Sequence, residues 1–429
     1  MGRRRLKEDA ADAAGSDGAI PGLRAWRGGL AGKWSSIGVL LIAQVAAMAV
    51  WFASAAAASS LARNTPLSDF EAALLTSAVQ AGFVVGTLAS ALTGLADRFD
   101  PRRIFMVSAL AAAVASAALA ALPPAGPSIL VLRFLTGMAL AGVYPIGMRL
   151  AATWASGDLG LLVGLLVGAL TLGSAAPHLL AAVGDLDWRV IYLAAAGLAA
   201  FGGIVILGAG VGPNVPRSVR VQAGRVAQAW RVRSLRLANL GYLGHMWELY
   251  AMWTWLAVFL ADSFRRSEVA DPRTLAEIVT FGAIGAGALG AWLGGVCADR
   301  WGRTTVTIGS MAASGACAAA MGWLLGAPPW IVIVVAVVWG VTIIADSAQF
   351  SASIAELGEP ESVGTMLTLQ TCGGFLLTLA SIQLVAPVSA VFGWPGAFTM
   401  LALGPALGCL AMARLRQSPD ALRLAGGRR

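Results

Sequence analysis

Long stretches of Ala, Leu, Val, Gly and Ile alternate with short polar breaks along almost the whole 429-residue chain. Twelve apolar runs lie near 36–62, 68–94, 103–123, 127–152, 158–182, 189–211, 236–262, 273–298, 304–326, 329–355, 361–387 and 393–413. An α-helix rises ~1.5 Å per residue, so each run is long enough to cross a ~30 Å hydrocarbon core. The pattern predicts an all-α membrane protein of twelve transmembrane helices. The longest polar interruption, 212–235, carries Arg217, Arg220, Arg225, Arg231 and Arg233 and divides the runs six and six. The expected organisation is a tail (1–35), a first six-helix bundle (36–211), a linker (212–235), a second bundle (236–415) and a short tail (416–429). The first tail is polar, Gly-rich and basic, and reads as disordered. The first run exceeds the ~7–15-residue apolar core of a cleaved signal peptide, so it reads as a retained span.

Composition strengthens this reading. The chain is 58% hydrophobic and 12% charged, against about 25% charged in soluble domains. Lipid can hide that much apolar surface; a water-soluble fold of this size cannot. The net charge of +8 does not indicate nucleic acid, because the basic residues sit in tails and short loops without interleaved stacking aromatics. Cys297, Cys317, Cys372 and Cys409 all fall inside apolar runs, where cysteine acts as a small hydrophobe. No metal-ligand spacing or disulfide framework is present. Lys and Arg concentrate in the tails, the central linker and the loops after runs 2 and 8. By the positive-inside rule both termini are expected in the cytoplasm, in a bacterial inner membrane.

A short charged cluster occurs twice, ADRFDPRR at 96–103 and CADRWGRT at 297–304, with Asp97 and Asp299 separated by 202 positions. Both fall in the cytoplasmic turn after the second span of their half. Asp187-Trp188-Arg189 and Gly393-Trp394-Pro395 give a second echo at a similar interval. Two parallel six-helix repeats are a known transporter architecture. On these features nearly the whole chain resembles the major facilitator superfamily, whose loop motif runs Gly-x-x-x-Asp-Arg-x-Gly-Arg-Arg/Lys. Gly295, Asp299, Arg300, Gly302 and Arg303 match it until Thr304. The first copy departs: Thr93 takes the leading Gly position, and Asp100-Pro101 replaces the single Gly, which displaces Arg102 and Arg103. The resemblance implies the major facilitator fold and a gate-latch role for Asp97, Arg98, Arg102, Arg103, Asp299, Arg300 and Arg303. From the residues alone, the arginines can equally serve to fix topology.

Ionisable residues at membrane depth are costly, at least ~2.5–3.5 kcal/mol on insertion scales, so each suggests a cavity or a partner. In the resembled family the cavity is lined mainly by helices 1, 4, 7 and 10. Run 7 places His245 and Glu248 three residues apart on one side of a helix, a combination suited to carrying a proton; a structural Glu–His hydrogen bond is the alternative. Trp247, Tyr250, Trp253 and Trp255 surround them. Run 10 aligns Asp346, Gln349, Ser353 and Glu356 along one helical face, a polar stripe that fits water or substrate beside it. Run 4 holds Arg133, Gly137 and Pro145, resembling the superfamily's fourth-helix pattern, in which the Arg is tied to proton coupling; snorkelling to headgroups is the alternative. Arg149 reads as a topology anchor. Gln44, Gln80 and Gln370 are mid-span hydrogen-bonding candidates.

Gly285-x-Gly287-x-x-Gly290 is a literal GxGxxG inside an apolar span with no preceding strand. It reads as close helix packing, as do Gly160, Gly164 and Gly168. AVWFAS (49–54) and GLLVGALTLG (164–173) resemble nitrate and nitrite porters faintly, but the anion-holding arginines of their helices 2 and 8 have no mid-span counterpart here. The expectation is a secondary active transporter of a small solute, working by alternating access and coupled to protons, with the bilayer, the solute and protons as partners. No cofactor, metal or catalytic group is expected. Efflux of amphipathic compounds and a transport-dead membrane sensor are the alternatives.

Overall fold

The computed structural model describes residues 32–428 except 65–66, 124–125, 184–185, 215–226 and 360. The expected disordered tail therefore lies outside the described residues, apart from its last few positions, as do Arg217, Arg220 and Arg225. The described residues form helices joined by short connections. In the first half α1 comes in two pieces, Lys33–Met48 and Ala53–Asn64. It is followed by α2 (Asp69–Thr93), α3 (Pro101–Leu119), α4 (Pro127–Leu140 and Tyr144–Ala152), α5 (Leu159–Ala181) and α6 (Trp188–Val205). The second half holds α7 (Arg233–Arg266), α8 (Pro272–Trp301), α9 (Arg303–Met321) and α10 (Pro329–Ala345 and Ser347–Leu357). It ends with Val363–Arg416, which is divided at Gly393 into α11 and α12.

The last division follows from packing. Tyr242 lies against Gly374, and Gly244 against Gly404 and Gly408. Gly374 and Gly404 would be about 45 Å apart on a straight helix. Neighbouring residues of α7 can touch both only if the chain doubles back. Gly393 makes the bend with φ 67° and ψ −177°, a conformation that excludes a side chain almost completely.

Local signals set several boundaries. Ser68 caps α2 through a reciprocal capping box with Glu71, and Gly94 ends that helix in the left-handed region. Asp100 and Asp187 cap α3 and α6 by accepting backbone N–H groups. Glycines let helices within each half touch at backbone distance. A Cβ at Gly137 would lie 1.9 Å from the Val79 carbonyl oxygen, joining α4 to α2. A Cβ at Gly290 would lie 2.0 Å from the Val341 oxygen, joining α8 to α10 in the equivalent place. The GxGxxG of α8 is thus a helix-packing device, as its sequence context implies.

Three predicted helices differ from expectation in one respect: α1, α4 and α10 are broken, at 49–52, 141–143 and Asp346. Among the described residues, ten helical stretches are long and apolar enough to cross a membrane. Val363–Arg416 counts once among them, and α7 is absent because its polar and aromatic residues lower its hydropathy. Lys33 and Arg428, near the two limits of the described residues, lie on one face, the terminal face; the opposite one is the far face.

Candidate functional site

The first half of the site is a seal at mid-height. At the α1 break, Trp51 and Phe52 point towards the second half. Tyr250 of α7 stacks between them, 6.1 Å from Trp51 and 5.8 Å from Phe52 with nearly parallel rings. Trp253 meets Phe52 edge-on at 5.3 Å, and Phe375 of α11 packs on Phe83 of α2 at 4.6 Å. All six rings are buried. Such aromatic pairs add about 0.5–1.5 kcal/mol each beyond area burial, so together they hold the halves shut at this level.

Arg133 explains how α1 can break there. The break leaves carbonyls without helical donors in an apolar interior, at several kcal/mol each if unsatisfied. The Arg133 guanidinium donates to the Trp51 carbonyl at 2.6 Å, to Val50 at 2.9 Å and to Leu75 of α2 at 3.3 Å. It also lies 5.9 Å from the Tyr192 ring, whose hydroxyl shares a hydrogen bond with Ser54 just past the break. Arg133 is completely buried, which corrects the snorkelling reading. Its contacts are with carbonyls and a ring, and no carboxylate pairs with it among the described residues. Its place is beneath the aromatic seal.

Beyond the seal, towards the far face, two polar contacts join the halves. His178 Nδ1 of α5 lies 2.6 Å from Glu277 Oε2 of α8. Gln383 of α11 donates to Ser77 of α2 at 2.9 Å. Below the seal the same seam parts. A cavity of about 770 Å³ runs between the halves to the terminal face. Its deeper wall is mostly Ala, Gly, Val and Leu with Thr87, Ser90, Ser351 and Thr368; its charges, Arg149, Asp299, Arg303 and Glu356, belong to the terminal-face ends of their helices. Arg149, expected as an anchor, therefore reaches the cavity.

The proposed proton carriers sit elsewhere. Glu248 accepts a 2.6 Å hydrogen bond from Trp339 Nε1 and a 2.9 Å bond from Ser314 Oγ, all within the second half. His245 faces Asp346 rather than Glu248, with Nδ1 3.0 Å from Oδ1 but without hydrogen-bond alignment. Helical spacing sets His245 and Glu248 on one side of α7, but at the break of α10 the Asp346 carboxylate lies against His245. Glu248, His245 and Asp346 are all buried, and none lines the cavity in this conformer. The polar stripe of α10 splits accordingly, with Gln349 and Glu356 on the cavity and Asp346 and Ser353 inside the bundle.

Other expected residues divide in the same way. Gln370 donates to Asn239 at 3.1 Å, a bond between α11 and α7. Gln44 rests on Gly147, where any Cβ would lie 2.5 Å from its Oε1. The amide groups of Gln44 and Gln80 are buried without a hydrogen-bond partner among the described residues. Trp247 and Trp255 donate to the Met400 and Ile382 carbonyls and act as packing pins. In the loop motif, Arg303 pairs with Glu356 at 2.5 Å and donates to Gln349 at 2.7 Å, staying within its own half. Arg102 binds Asp100 at 2.7 Å and the Ala209 carbonyl at 3.3 Å. Arg98, Arg103, Asp299 and Arg300 are exposed, and the Asp97 side chain lies outside the described residues. Sequence reasoning missed the His178–Glu277 contact, since nothing in the chain states that α5 and α8 adjoin.

A bundle pair sealed at mid-height and open to one face defines a membrane transporter. The Major Facilitator Superfamily profile matches residues 40–381, and the chain belongs to that superfamily. It is a transporter family and not an enzyme family. In all, 295 solved chains match. One is a mutant form of the nucleoside transporter NupG, with 14% sequence identity, a TM-score of 0.68 and coverage of 90% of this chain and 100% of that one. At that identity the likeness shows the fold. No curated protein sequence matches the chain. The matches support the superfamily and no subfamily within it, including the nitrate and nitrite porters.

Proposed function

We propose that this protein is a secondary active transporter that moves a small, largely uncharged amphipathic solute by alternating access, with proton coupling at Glu248 and Asp346. The observation that carries the reading is the cavity: open to one face, closed to the other by contacts between the halves, and charged only towards its mouth. The Lys and Arg excess supports a cytoplasmic orientation for the terminal face, in which this conformer is inward-open. A solute bearing net charge would find no fixed counter-charge in the deeper wall. Glu248 and Asp346 are carboxylates in the helix bundle that lines the cavity, one layer behind it, where a proton can change helix packing without touching solute.

The test begins with a thermal-shift screen of purified protein against neutral amphipathic metabolites, since a bound solute stabilises the folded state. A hit is then followed in proteoliposomes. Glu248→Gln and Asp346→Asn are expected to abolish accumulation driven by a pH gradient while keeping solute exchange at equal concentrations. Wild-type accumulation with unchanged pH dependence in both variants rejects the coupling assignment. Absence of any exchange by the wild type rejects transport and favours a sensor.

A further inference from the structure

Glu277 is a carboxylate inside an apolar helix, and its partner lies on the other half of the molecule. That pairing is unlike Glu248, whose partners all move with it. His178 is completely buried, whereas Glu277 lines a second, smaller cavity of about 290 Å³ on the far face. The pair therefore has one member sealed in the seam and one at the edge of an aqueous vestibule. The other charged groups around that vestibule are Arg63 at the end of α1, and Asp271 and Arg273 at the start of α8. Asp271 is engaged with the Thr274 backbone N–H as a helix cap. Ser59 and Ser60 complete the polar wall.

A separation of 2.6 Å between an imidazole nitrogen and a carboxylate oxygen requires a proton between them. Nε2 has no hydrogen-bond partner among the described residues; the proton that couples to the seam is the second one on the ring, which the buried carboxylate favours by pairing with an imidazolium. The contact spans α5 and α8, so it must break whenever the far face opens. Once the contact breaks, both groups meet water, and the ring, no longer beside the carboxylate, gives that second proton to vestibule water. Opening and closing then exchange a proton with the solution on that side, through the vestibule that Glu277 already touches.

We propose that His178 and Glu277 form an outer proton-binding latch, distinct from the Glu248–Asp346 region, which makes the opening of the far face respond to the pH outside. The exchanged proton passes between the pair and vestibule water. The link is one proton, so the open-to-closed ratio changes by at most about tenfold per pH unit. The Gln383–Ser77 bond closes the same face without a titratable group, and supplies the control.

The test is a distance measurement by spin labels placed at Asp69 and Glu268, both exposed on the far face. The labels are introduced in a variant whose four cysteines are replaced by serine, reconstituted in nanodiscs between pH 5.5 and 8.5. The wild-type background is expected to show two distances whose ratio shifts roughly tenfold over the range. Glu277→Gln and His178→Asn are expected to remove that shift, and the exchanged pair His178→Glu with Glu277→His to restore it. Gln383→Ala is expected to favour the long distance at every pH while keeping the shift. A ratio that ignores pH in the wild-type background, or a shift that survives Glu277→Gln, overturns the latch. A single distance under every condition overturns it together with alternating access.

Discussion

Replacing Arg133 with methionine separates two roles for this residue. Methionine keeps much of the length and the apolar packing but removes every donor. Three carbonyls at 2.6, 2.9 and 3.3 Å then lose their partner in a site without water. Hydrogen bonds to charged groups contribute about 1.5–3 kcal/mol each, which sets an upper bound near 9 kcal/mol. The longest of the three contributes least, and the guanidinium's own desolvation cost disappears with it. The net loss is about 3–5 kcal/mol, because each buried carbonyl left without a donor costs about 1–3 kcal/mol. On the scale of about 2–4 °C per kcal/mol for a unit of 150–250 residues, the thermal midpoint of the detergent-solubilised protein falls by about 6–20 °C. Arg133→Lys, whose ammonium can serve the Val50 and Trp51 carbonyls together, falls less.

The measurement is the thermal midpoint by intrinsic tryptophan fluorescence, a signal summed over all fifteen tryptophans, Trp51 on the break among them. The coupling role that the fourth-helix resemblance implies makes a different forecast. There Arg133→Met folds with the wild-type midpoint and loses only pH-driven accumulation. A midpoint within about 2 °C of wild type, less than about 1 kcal/mol on the same scale, refutes the pinning role.

Two further outcomes test the fold and its surface electrostatics. Gly290→Ala forces a Cβ to within 2.0 Å of the Val341 oxygen, so α8 and α10 must part; overpacking of this kind costs about 1–3 kcal/mol and shows as a lower midpoint, whereas an unchanged midpoint means the two backbones are not in contact. Asp158, in the loop before α5, is held below the usual carboxylate range by a hydrogen bond from Lys33 and one from the Ser156 N–H. A depressed acid contributes stability that is present above its ordinary value and lost as pH falls through the lowered one. Asp158→Asn should therefore remove part of the acid-induced fall in midpoint below about pH 4 and leave the response above pH 6 unchanged; identical acid profiles for both proteins reject the assignment.

The number and order of helices could be read from hydropathy because lipid leaves the backbone few choices: an unpaired peptide group in hydrocarbon is too costly for anything but a helix or a closed barrel. The break of α1 could not, because its freed carbonyls are satisfied by a residue distant in sequence: Arg133 reaches Val50 across 83 positions and Trp51 across 82. The same limit governs the site. Helical spacing put His245 and Glu248 on one side of α7, yet which acid His245 meets depends on the kink at Asp346. Glu277 and His178 lie 99 positions apart, and only the docking of one half on the other brings them together.

The α5–α8 seam shows how the two states relate. Gly168 and Gly164 face Ala288 and Ala291 across the halves, at 3.3 Å from the Ala288 Cβ and 3.7 Å from the Ala291 carbonyl for an added Cβ. His178 and Glu277 continue that line towards the far face. One helical turn the other way, Gly160 and Gly295 have no neighbour within 4 Å of an added Cβ, and both line the cavity. The run of small residues is thus longer than the contact it makes in this conformer. Glycine carries an entropic cost within a helix, about 0.5–1 kcal/mol relative to alanine, and close packing does not repay it here. It is accounted for if the terminal face also closes, with Gly160 approaching Gly295 as Gly168 now approaches Ala288. Under the proposed alternating access the seam closes from either end around Gly164, and His178 parts from Glu277 across it when the far face opens.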